Sequence, residues 1–291
     1  MKNYYIHTLH IILFLTIASC NNQDVDRKHV TVSLLPQKHM VSNLLPSDFK
    51  ITTMVTKGYS PATYSPTPNQ IKNLNTSFLY LQIGNIGFEQ AWIDKFSDIN
   101  PQLKLENTSE GINFIREDDF VHGDHIHKGG IDPHIWTSPK TMKKLLYNTT
   151  KILTSYIPEL EKEILQNSKR LEKELNSLDS LYKETLRPYK GQSFIIFHPA
   201  YTYLARDYGI QQISIEHKGK EPSAKWLSEI IQTIKNQNIK AIFVQEEFDK
   251  RNAEIIAKEL NIEIIEVHPL KENYEQEMRT LLNNLVKALN K

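Results

Sequence analysis

"PELEKEILQNSKRLEKELNSLDSLYKETLR" (Pro158–Arg187) runs on after its opening proline with no further proline and no glycine. As one unbroken helix, about 30 residues would reach roughly 45 Å. The segment is charged and only weakly amphipathic, and too few apolar heptads recur for a coiled coil. A strut joining two domains accounts for it better. The preceding "SPKTMKKLLYNTTKILTSYI" (Ser138–Ile157) is also helical, with Ser138 placed to cap it and Pro139 in its first turn.

On either side of this helical middle, strands and helices alternate. Towards the N-terminus, "HVTVSLLP" (residues 29–36) reads as a strand ended by proline. "FKITTMVT" (49–56) and "FLYLQIG" (78–84) are further strands. "KGYSPATYSPTPNQ" (57–70) is a loop, "NQIKNLNTS" a short helix and "EQAWIDKFSDI" (89–99) a longer one. Towards the C-terminus, strands are expected in "QSFIIFH", "IQQISIE", "IKAIFVQE" and "IEIIEVHP". The helices between and after them are "PAYTYLARDYG", "AKWLSEIIQTIKNQN", "KRNAEIIAKELN" and "ENYEQEMRTLLNNLVKALNK". The fold class is therefore α/β: two similar β/α lobes with mainly parallel sheets, joined by a long rigid helix. The expected division is residues 29–157, 158–187 and 188–291.

The N-terminus stands apart. "MKNYYIHTLHIILFLTIASC" has a basic start, a short apolar run and small residues before Cys20. That is a signal-peptide layout, too short to span a membrane. Ile17-Ala18-Ser19-Cys20 resembles a bacterial lipobox, which implies removal of residues 1–19 and lipidation of Cys20. Cys20 is the single cysteine, so no disulfide can form within the chain. "NNQDVDRK" would be a tether, giving 20–28 for that segment. The expected protein is exported and lipid-anchored to the cell envelope, facing the periplasm or the exterior. The 291 residues carry 35 Lys and Arg against 34 Asp and Glu, so losing Lys2 with the leader leaves near-neutral balance. Nothing in that balance points to a nucleic-acid partner.

The chemistry lies in histidines. In open α/β sheets, ligands bind beyond the carboxyl ends of strands. His198 follows "SFIIF", His268 follows "IEIIEV", and His134 precedes a helix start. Their spread over both lobes points to a metal site in the cleft. His122, His125 and His127, in "FVHGDHIHKGG", differ: they sit among Gly and Asp in a loop that either gathers metal or is simply solvated.

Several motifs in chain order resemble the metal-binding solute receptors of ABC importers, the TroA/ZnuA-like family. They are "GYSPATYSPTPNQIKNL", "GGIDPHIWTSPK", "FHPAYTYLARDYGIQQISIEHKGKEPSAKWL" and "VHPL". The resemblance covers nearly all of the chain after the tether. It implies two lobes on a rigid helix with one metal between them, and an ABC permease as partner of a monomeric receptor. His134 and His198 match family ligands. His268 stands where the family usually has aspartate, and Ala62 where it has its first histidine. Alanine cannot coordinate a metal. His39 is the leading substitute, with a loop histidine, Glu246 or water as alternatives. Glu216 and His217 are expected to orient ligands from behind.

Three imidazoles suit zinc, at about 2.0–2.1 Å in tetrahedral geometry. Copper, nickel and iron also accept imidazole, and manganese fits less well. Zinc as the carried cargo is the expectation. Coordination needs neutral imidazoles, so capture should weaken as pH falls below about 6.5. Two other functions compete: an adhesin or receptor of the same fold with weak or no metal binding, and a zinc enzyme. For the enzyme, no HExxH and no nucleophile elbow is present.

Overall fold

The structure, a computed structural model, describes residues 26–116, 120–122, 125–127, 130–216 and 222–290, of which 120–122 and 125–127 are described as backbone only. The leader, Cys20, most of the tether and His217 lie outside the described residues, as do the side chains of His122, His125 and His127.

The first lobe is built on β1 (Asp26–Val32), β2 (Lys50–Thr53), β3 (Ser77–Gln82) and β4 (Lys104–Asn107), ordered β2-β1-β3-β4. All three pairings are parallel. β1 starts at Asp26, so residues 26–28 belong to the sheet and not to a tether. It also stops at Val32. The proline expected to end the strand, Pro36, instead opens α1 (Leu35–Leu44), where its missing N–H loses no helical bond. β4 is a four-residue edge strand with no apolar alternation, which hid it from sequence patterning. Helices α2 (Pro68–Thr76) and α3 (Gly87–Ile99) complete the crossovers, and Thr67 caps α2 through the backbone N–H of Gln70.

The hairpin of β5 (Phe120–His122) and β6 (His125–His127) is antiparallel, so the histidine-rich segment is a small ribbon and not an irregular loop. α4 (Pro139–Tyr156) and α5 (Glu161–Leu186) follow. The second lobe holds β7 (Ser193–Ile196), α6 (Thr202–Tyr208), β8 (Gln211–Ser214), α7 (Ala224–Gln237), β9 (Ala241–Gln245), α8 (Arg251–Leu260), β10 (Glu263–Val267) and α9 (Tyr274–Leu289). Its sheet runs β8-β7-β9-β10, again all parallel. Numbered from its own first strand, that is the same order as the first sheet.

α5 buries a single stripe, Ile164, Leu171, Leu175, Leu178, Tyr182 and Leu186, and leaves its other faces to solvent. The stripe touches both lobes. Asn167 donates to the Leu44 carbonyl at the end of α1, and the Tyr182 hydroxyl donates to the Met278 carbonyl in α9. One continuous apolar cluster runs through both lobes and α4–α5. Such a core resists wide hinge bending, because packed interiors deform only at the loss of contacts.

Candidate metal centre

Each sheet has a switch point where the chain turns from one side to the other: between β1 and β3, and between β7 and β9. Open α/β sheets bind ligands at such points. In the second lobe, the segments leaving β7 and β9 reach a cavity of about 210 Å³ whose lining includes Ala62, Asp132, His134, His198, Glu247 and Phe248.

His198 follows β7 and is held on every side. The buried Gln245 amide takes both of its backbone groups, donating to the His198 carbonyl at 2.7 Å and accepting from its N–H at 3.3 Å. Phe248 stacks flat on the imidazole at 4.3 Å between ring centres. The Glu216 carboxylate accepts from Nδ1 at 2.5 Å.

His134 arrives from the first lobe by way of Asp132-Pro133. Asp132 Oδ1 accepts from both the His134 N–H (2.9 Å) and its Nδ1 (2.8 Å). This segment is sewn to the second lobe. The Tyr203 hydroxyl donates to the Asp132 carbonyl at 2.6 Å, and Trp136 Nε1 donates to the Pro269 carbonyl at 2.9 Å.

The two Nδ1 bonds fix the tautomers. A carboxylate only accepts, so each Nδ1 carries the hydrogen and each Nε2 presents a lone pair. Those Nε2 atoms face each other at 3.3 Å. Neither neutral ring can donate to the other, so only a shared cation resolves the contact. Two nitrogens about 2.0–2.1 Å from one tetrahedral zinc stand about 3.3–3.4 Å apart, so the spacing fits a metal already. A proton fits less well. Burial pushes the His198 pKa down, against the opposing pull of Glu216, and so disfavours an imidazolium there. Burial also works against the Asp132 carboxylate, but its bonds to and charge interaction with His134 outweigh this and hold its pKa below the usual range. Both histidines thus have the carboxylate backing that orients metal-bound imidazole.

Ala62 lines the same cavity, opposite the histidines. The Pro61 carbonyl accepts from the Phe88 N–H at 2.9 Å, and a Cβ on Gly87 would stand 2.3 Å from the Ala62 carbonyl oxygen. Only glycine permits that approach, so Ala62 is braced at the cavity with no donor side chain to offer.

His39 is not brought to the cavity, which corrects the leading expectation for the missing ligand. It sits in α1 on a separate groove with Met40, Leu171, Glu174, Leu178 and Glu275, because α1 turns this face to α5 and α9. His268 does follow β10, but it does not line the cavity. Its Nδ1 lies 3.8 Å from Glu246 Oε2, and that carboxylate also faces Lys57 Nζ at 3.6 Å, forming a rim across the cleft. Glu246 is therefore engaged at the rim. Its neighbour Glu247, which sequence reasoning passed over, is part of the cavity lining, with its carboxylate oxygens sealed from solvent. Burial pushes Glu247 up to about 7, opposed by its own backbone N–H, with the Glu246 charge adding and Lys57 opposing. Among the described residues, no three such donors are already closed around one point.

A family model described as the periplasmic component A of a zinc-uptake complex, ZnuA, matches residues 30–288. The chain is 26% identical over 264 residues to the high-affinity zinc uptake system protein ZnuA of Bacillus subtilis, covering 85% of this chain and 82% of that one. It is 25% identical over 276 residues to the zinc-binding lipoprotein AdcA of Streptococcus pneumoniae, but spans only 55% of that longer protein. A crystal structure of ZnuA superimposes with a TM-score of 0.84 at 29% identity, over 91% of this chain and 100% of that one. The fold, the strand order and the paired imidazoles at the switch point are thus accompanied by a match over most of the sequence, and the chain belongs to the ZnuA family.

Proposed function

We propose that this protein captures Zn2+ between its lobes and delivers it to the permease of an ABC importer. The observation that carries this reading is the pair of Nε2 lone pairs facing at 3.3 Å, each backed by a carboxylate. His134 and His198 are the proposed ligands. His268 and the histidine-rich hairpin are proposed to meet the metal at the rim. The relatives are named for zinc binding and uptake, which supports transport over catalysis. A leader ending before Cys20, lipidation of that cysteine and a polar tether ahead of β1 are proposed for the N-terminus, with the receptor acting as a monomer. No helix among the described residues is long and apolar enough to cross a membrane.

Growth under zinc limitation tests the reading. Cells lacking this protein should grow normally in zinc-replete medium and stall with a zinc chelator. The wild-type gene should restore growth, and the His134→Ala/His198→Ala variant should not. Full rescue by that variant would exclude capture at this cleft.

A further inference from the structure

Glu247 is placed where the donor set is short. It follows β9 as His198 follows β7, so the two residues flank the switch point of the second sheet. It lines the cavity together with His134, His198 and Ala62. Both of its carboxylate oxygens are sealed from solvent, and no other residue hydrogen-bonds to them; the residue's own backbone N–H is their one near donor. A buried carboxylate without donors is costly and persists only where something else compensates it. The equivalent crevice of the first sheet shows the satisfied case. There Glu89 accepts from the Ile83 N–H at 2.7 Å, from the Gly84 N–H at 2.7 Å and from the Ser33 hydroxyl.

We infer that Glu247 supplies the metal-binding donor that Ala62 cannot, giving a site of two imidazoles and one carboxylate, with a further position open to solvent or to a rim histidine. This rests on the cleft being the zinc site. His134 and His198 form the preset half, at the spacing a metal needs. Glu247 forms the mobile half and turns in by side-chain rotation as the cation arrives, consistent with no closed triad among the described residues. Mixed nitrogen and oxygen donors suit zinc and shift the site towards harder cations than three imidazoles would.

A rival account of Glu247 is structural. The Tyr201 and Tyr274 hydroxyls are also buried without hydrogen-bond partners, and a water linking Glu247 to them would satisfy all three. The two accounts separate in one experiment on the full mature protein. Zn2+ affinity is measured by chelator competition for wild type, Glu247→Gln, Glu246→Gln, His268→Ala and His198→Ala. Metal-free melting temperature and the visible spectrum of the Co2+ form are recorded for each. Glu247→Gln should bind zinc about 100-fold more weakly, at or beyond the upper end of the roughly 10–100-fold seen on losing an outer partner. It should alter the Co2+ bands and melt, metal-free, at or above the wild-type temperature. Glu246→Gln should stay within about threefold of wild type. If Glu247→Gln binds zinc like wild type while His198→Ala does not, or if His268→Ala takes the large loss instead, the assignment is overturned and the cleft reading stands. If His198→Ala binds zinc like wild type, the cleft reading fails first and the assignment fails with it.

Discussion

The two sheets share a strand order but use their crevices in opposite ways. Between β1 and β3 the crevice is filled from within: Glu89 reaches back to Ser33, Ile83 and Gly84, and all its bonds stay inside the lobe. Between β7 and β9 the crevice stays open, and His198 and Glu247 both belong to the lining of a cavity. The same topology thus yields a closed support and an open site, and the difference lies in where the carboxylate finds its partners. His134 enters from the first lobe, but hydrogen bonds to Tyr203 and Pro269 tie its segment to the second. The preset half of the site is therefore built into the second lobe's framework, and the first lobe contributes the braced loop at Ala62.

The comparison breaks most readily at His198. His198→Ala should reduce zinc affinity at least about 1000-fold, since removing it leaves one imidazole and an unpaired Glu216, and competition titration reads this directly. Glu89→Ala should do the reverse. It strands the Ile83 and Gly84 backbone donors, each worth about 1–3 kcal/mol when buried and unpaired, while the Ser33 hydroxyl keeps its bond to Tyr80. Stability to urea should fall by about 3–5 kcal/mol, while zinc affinity per folded molecule changes less than about threefold. Glu216→Gln keeps the His198 ring in place but weakens its orientation, and zinc affinity should drop about 10–100-fold.

A pH series sharpens the same contrast. Burial, opposed by its bonds to Ser33, Ile83 and Gly84, leaves Glu89 pushed up to about 7 from an ordinary 4.5. The folded state then holds its proton where the unfolded state has lost it. Stability from this group is fully present below about pH 4.5 and declines as pH rises to about 7, by about 3 kcal/mol in all. His29 works in the opposite sense, with burial followed by Lys50 lowering it to about 4 from 6.5. Its contribution is present above about pH 6.5 and is lost as pH falls towards 4. Urea unfolding of Glu89→Gln should therefore show stability falling less, or rising more, between pH 5 and 6.5 than wild type does. The smallest effect belongs to His39→Ala, which should leave zinc affinity within about twofold. A larger loss would mean that the groove between α1, α5 and α9 communicates with the cleft.

Much of this organisation could be read from residues. The strut, the two alternating lobes and the histidines at strand ends follow from periodicity and from where chains leave a sheet, and His134 and His198 duly meet. Three features could not be read. Pro36 looks the same whether it ends a strand or starts a helix. β4 lacks the apolar alternation that marks a half-buried strand. In "QEEFDK" two glutamates are adjacent, and only the path of the chain after β9 sends Glu246 to the rim and Glu247 inward.

The most direct measurement is zinc content per chain after loading and gel filtration, compared between the mature wild type and His134→Ala/His198→Ala. The account predicts one zinc per wild-type chain and essentially none in the double variant, with both proteins folded by circular dichroism. Stoichiometric zinc in the folded double variant would contradict it.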